Sequence, residues 1–134
     1  MRNTPLSHIT VHCSATQAAM DIGVTEIRQW HLARGWSDVG YHFVIRRCGV
    51  VQQGRPLSKM GAHVRGHNKG NIGICLIGGY DEALQAQDNF TLVQRKALFG
   101  LIAKLQRKFK IKDGNVKSHN EWDSRKACPV MVIN

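Results

Sequence analysis

The chain has 134 residues, 43% of them hydrophobic, enough for one domain over residues 1–134 that folds without a disulfide or metal staple, with no room for a second. Lys and Arg number 19 against 9 Asp and Glu, a formal charge of +10 spread over both halves, which favours an anionic partner: nucleic acid, membrane or wall polymer. A membrane span is excluded by the lack of any long apolar run, and Met1 to His8 lacks the apolar core of a signal peptide, so the product is expected to be cytoplasmic when synthesised.

His8 to Ser14 alternates, with Ile9, Val11 and Cys13 on one side and Thr10, His12 and Ser14 on the other, as in a half-buried strand. Thr25 is a candidate cap for a helix to about Arg34, with Ile27 and Trp30 inward and Gly35 as its stop. Tyr41 to Arg47 and Val50 to Gln53, joined around Cys48-Gly49, form a predicted hairpin with Tyr41, Phe43 and Ile45 on one face. Residues 54–70, rich in Gly and Pro and carrying His63 and His67, have no clear period and are assigned to a loop. The apolar run Asn71 to Ile77 suits a central strand covered on both faces. Thr91-Leu92-Val93-Gln94 has capping-box form, and Leu98, Leu101, Ile102, Leu105 and Phe109 follow at helical spacing, with Asp113-Gly114 as the terminator. Val116 to His119 is a last short strand, followed by an irregular segment to Cys128-Pro129. The order β, α, β, β, loop, β, α, β predicts an α/β domain with a central mixed sheet flanked by helices.

Common catalytic patterns are poorly represented. The nine acids fall mainly in turns and helix starts, where capping or solvation accounts for them better than paired-carboxylate glycosidase chemistry. No Gly-x-Ser-x-Gly elbow is present. His63 and His67 have the spacing of a zincin pair, but no Glu follows His63 and Gly66 weakens the required helix. The cysteines Cys13, Cys48, Cys75 and Cys128 lack CxxC spacing and are read as reduced thiols.

The wording of several segments is more specific. Val11-His12-Cys13-Ser14-Ala15-Thr16, Ile27-Arg28-Gln29-Trp30-His31, Gly35 to Phe43, Gly61 to Asn68, Asn71 to Ile74 and Lys126-Ala127-Cys128-Pro129 resemble the zinc-dependent N-acetylmuramoyl-L-alanine amidases, especially the small amidase-type phage lysozymes. Animal peptidoglycan recognition proteins share that superfamily, and the resemblance runs from about Ile9 to Pro129. It implies one zinc ion per chain, held by His12, His119 and Cys128, with Tyr41 and Lys126 as catalytic residues. The implied reaction is hydrolysis of the amide between N-acetylmuramic acid and the first L-alanine of the stem peptide.

Two neutral imidazoles and a thiolate leave a fourth position for water, as a catalytic zinc requires. Lys126 is two residues from Cys128, so in an extended segment both side chains project from the same side. His63, Arg65 and Asn68 are candidate substrate contacts, His31 and His42 are structural, and Glu121 orients a ligand. The phage-lysozyme resemblance implies an endolysin acting as a monomer on peptidoglycan after release through a separate pore-forming protein. The alternative is a non-catalytic peptidoglycan-binding protein or one regulating a polymerase partner. Direct nucleic-acid reading is not expected, because the basic stretch Arg95 to Lys112 is read as lacking interleaved surface aromatics for base stacking.

Overall fold

The structure, a computed structural model, describes residues 5–125. A five-stranded mixed sheet is built from β1 (His8–Cys13), β3 (Phe43–Ile45), β4 (Val51–Gln53), β5 (Asn71–Leu76) and β7 (Val116–Ser118), in the spatial order β4-β3-β5-β1-β7. All neighbours are parallel except the β3–β4 hairpin. β5 is central and all six of its residues are buried, as its unbroken apolar run requires. A separate parallel pair, β2 (Thr16–Gln17) with β6 (Gly79–Tyr80), was not legible in the sequence, being only two residues long on each side.

The sheet separates two apolar layers. Ile9, Val11, Ile72, Ile74 and Leu76 point to one face, where Leu98, Ile102 and Leu105 of helix α2 (Leu92–Phe109) cover them. Val44, Cys75 and Ile77 meet Val24 and Ile27 of helix α1 (Val24–Ala33) on the other. His12 and Thr10 belong to this second face because strand side chains alternate.

The elements differ in detail from the sequence reading. The cap of α1 is Gly23, not Thr25: Glu26 Oε1 accepts the Gly23 N–H at 2.7 Å, and Gln52 Oε1 accepts that of Val24 at 2.8 Å. Starting the helix earlier turns Trp30 outward, 41% exposed, and gives its inward place to His31. Gly35, at φ 89°, follows the helix as expected of a stop. In the hairpin, Phe43 and Ile45 join the α2 layer while Tyr41, before the strand begins, packs with the α1 layer. α2 ends at Phe109, before Asp113-Gly114, because Lys110 takes a left-handed conformation and returns its N–H to Gln106. The segment after β7 starts as a short helix α3 (His119–Trp122), where Ser118 and Glu121 form a capping box.

The Thr91 cap holds as expected: Thr91 Oγ1 accepts from Gln94 N at 3.1 Å, and Gln94 Oε1 from Thr91 N at 3.0 Å. Gln94 is fully buried and its Nε2 also donates to the carbonyls of Ile45 and Ile77, tying α2 to the ends of two strands. Replacing it with Leu removes both of these bonds and the one to Thr91 N, for an expected loss on the order of 3 kcal/mol. Thr91→Ala removes the cap bond, about 1 kcal/mol, together with the hydroxyl's bond to Arg47 O. Urea denaturation of the two variants checks both the size and the ranking.

Candidate active site

The site forms on the α1 face of the sheet, toward the C-terminal ends of β1 and β7. Parallel pairing places Val11 opposite Ser118, so the residues that follow, His12 on β1 and His119 at the start of α3, emerge side by side. Their ring centroids are 4.5 Å apart. Two histidines 107 residues apart in sequence are thus neighbours by register. Glu121 accepts from Ser118 N at 2.6 Å, fixing the turn that carries His119. Glu121 therefore orients His119 through the backbone.

Tyr41 stands beside this pair, its ring 5.1 Å from that of His12. His31 and Trp36 form the adjoining wall, with centroids 4.5 Å apart. Trp122 lines the opposite side, donates from Nε1 to Thr10 Oγ1 at 2.9 Å, and stacks on His67 at 4.4 Å. The sequence reading missed this Trp122–His67 stack, although an aromatic three residues after His119 was a visible signal. Together they border an open groove of about 810 Å³ that also receives Arg34, Arg65 and Arg125. Asp123 pairs with Arg125 at 3.0 Å.

His12, His31, His42 and His63 are held neutral. Burial pushes the pKa of His12 well below its ordinary value, and the neighbouring His63 and His119 add to the shift. Burial likewise lowers His63, to about 3. His42 is lowered by burial against an opposing hydrogen bond to Lys59 O, and His31 by burial plus Arg34 and Arg55. Neutral imidazoles are the form that ligates metal.

The structural roles expected for His31 and His42 are visible: His31 Nδ1 accepts the Gly40 N–H at 2.8 Å, and His42 Nδ1 that of Gly73 at 3.0 Å. The three candidate substrate contacts occupy different settings. All three line the groove, with Arg65 exposed on it. Asn68 turns its Oδ1 inward to accept from His63 N and Val64 N at 2.9 and 2.8 Å. His63 is 9% exposed, with its Nδ1 2.9 Å from His12 Nε2 and its Nε2 2.8 Å from Asn71 O. Lys126 and Cys128 lie outside the described residues. Among the described residues no three ligating side chains form a metal site, so the His12–His119 pair is the part of the implied ligand set seen here. Cys13, Cys48 and Cys75 form no disulfide.

Residues 2–130 match the family model of N-acetylmuramoyl-L-alanine amidase. The chain is 48% identical over 123 residues to the endolysin of Klebsiella phage KP32, covering 92% of this chain and 80% of that protein. It is 46% identical over 122 residues to the endolysin of Escherichia phage T7, covering 90% and 78%. The solved amidase LysC from Clostridium intestinale URNW superposes with a TM-score of 0.79 at 31% identity, over 94% of this chain and 76% of that one. Sequence and fold agree, and the chain belongs to the N-acetylmuramoyl-L-alanine amidase family, as a peptidoglycan-cleaving enzyme.

Proposed function

We propose that this amidase is a zinc enzyme of host lysis, with the metal held by His12, His119 and Cys128 and with Tyr41 and Lys126 acting at the scissile amide. The observation that carries this reading is the adjacent pair His12 and His119, with His12 kept neutral by burial and His119 lining an open groove. Those residues fit a zinc ion, since two imidazole nitrogens with one thiolate complete a catalytic donor set and leave one position open. Bound there, zinc supplies the Lewis acidity that makes water nucleophilic near neutral pH and polarises the carbonyl.

The chain's own groups do the rest. Tyr41 hydrogen-bonds the attacking water or the developing oxyanion through its phenol. Lys126 brings a positive charge to the same oxygen, which a thiolate-ligated metal polarises less than one held by three neutral ligands. Trp36 and Trp122 flank the groove as flat walls, and Arg34 and Arg65 provide donors for acidic groups of the muramoyl peptide. Among the described residues no helix is long and apolar enough to cross a membrane. Passage to the wall is assigned to a separate pore-forming protein, with the +10 charge attracting the enzyme to an anionic envelope.

Digestion of purified peptidoglycan by zinc-loaded protein, followed by mass spectrometry, is expected to yield new L-alanine amino termini. Chelation should abolish them. New reducing sugar ends would identify a glycosidase and overturn the assignment.

A further inference from the structure

His63 belongs to the loop between β4 and β5, but its ring is laid onto the sheet beneath the site. It rests on Gly73, where an added Cβ would come within 2.7 Å of the ring carbons. Only glycine permits that approach. The loop is pinned on both sides of the ring: Asn68 Oδ1 takes the main-chain N–H groups of His63 and Val64, and Asn71 Nδ2 donates to His67 O at 2.8 Å. His63 is therefore fixed before any substrate arrives.

Its hydrogen bonds have a direction. Asn71 O is a carbonyl oxygen and only accepts, so His63 Nε2 carries the proton. In a neutral imidazole the other nitrogen then holds the lone pair, and His63 Nδ1 faces His12 Nε2 at 2.9 Å. His12 must donate from Nε2, which leaves its own lone pair on Nδ1. A single carbonyl on β5 thus determines, through two rings, which nitrogen of His12 is basic.

We infer that His63 is a positioning residue that holds His12 as the Nε2–H tautomer, presenting Nδ1 to the metal. This rests on the zinc reading above. Metal-bound histidines generally donate their second N–H to an acceptor that fixes ring and tautomer. Here the acceptor is another histidine, itself locked by the main chain.

The test compares His63→Leu, which keeps bulk without an acceptor, with His63→Asn, whose Oδ1 can replace the lone pair of Nδ1. Zinc affinity, measured by competition with a chromophoric chelator, should weaken on the order of 10–100-fold in His63→Leu and be largely restored in His63→Asn. In metal-free wild type, long-range proton–nitrogen correlation spectra should show His12 protonated at Nε2 and bare at Nδ1. A folded His63→Leu protein binding zinc as wild type does would overturn the inference, as would a wild-type His12 protonated at Nδ1. The wild-type spectrum needs no variant to fold. Should wild type itself fail to bind zinc, the zinc reading falls, while the metal-free spectrum still decides whether His63 sets the tautomer.

Discussion

Under the proposed zinc assignment, replacing His12 with Ala will abolish zinc binding and lower peptidoglycan amidase activity by on the order of 10³-fold. His12 is 1% exposed and its ring lies between those of His119 and Tyr41, so the substitution empties the centre of the site. His119→Ala and Cys128→Ser should have comparable effects. Combining His12→Ala with His119→Ala should cost little more than either alone, because groups that act as a unit are not additive. Zinc content by mass spectrometry and turnover on purified peptidoglycan are measured on the same preparations. Cys48→Ser, an exposed change at the β3–β4 turn, is the control expected to match wild type. Full activity in the His12 variant would remove the metal mechanism.

The metal-free protein will lose stability steeply as pH falls below about 6.5. In the unfolded chain a histidine takes up its proton near that pH, whereas His12, His42 and His63 all have folded pKa values lowered, first of all by burial. The unfolded state then binds more protons than the native state, so stability is present above the unfolded pKa. It declines with pH until the folded pKa is reached, which for His63 is about 3. Each such histidine contributes a slope of roughly 1.4 kcal/mol per pH unit. His63 alone therefore removes about 2 kcal/mol between pH 6.5 and 5, a sizeable share of the roughly 5–15 kcal/mol that holds a domain together. Urea midpoints followed by circular dichroism from pH 7.5 to 4.5 should fall in that window. Zinc should hold them up until the ligands themselves protonate. A flat profile in metal-free protein would show that these rings are not kept neutral by the fold.

The long-period elements were legible because their physics is local. The buried run of β5 and the Thr91–Gln94 box of α2 each carry their signal within a few residues. The start of α1 was misplaced because its first N–H groups are satisfied by Glu26 and by Gln52, the latter on another strand. The site divides in the same way. The resemblance named His12, His119 and Tyr41, and the structure brings these three together. The inward setting of His63 was not foreseen, since a histidine in a glycine-rich loop reads as exposed. Gly73, a glycine inside an otherwise apolar strand, was the available sign that another group packs there.

The pairing of β7 with β1 also has a kinetic side. β1 and β7 are the first and last strands of the five-stranded sheet, so closing that register requires the ordering of a long intervening chain, and contacts of such separation form slowly. Under the zinc reading, His12 and His119 can hold one ion together only once β7 has docked, so a chain in which it has not docked cannot acquire the metal. Metal capture then rewards completion: an ion present at about 1,000 times its dissociation constant adds roughly 4 kcal/mol to the finished state and nothing to a partly assembled one. Lytic competence and correct assembly of the sheet are thereby a single event.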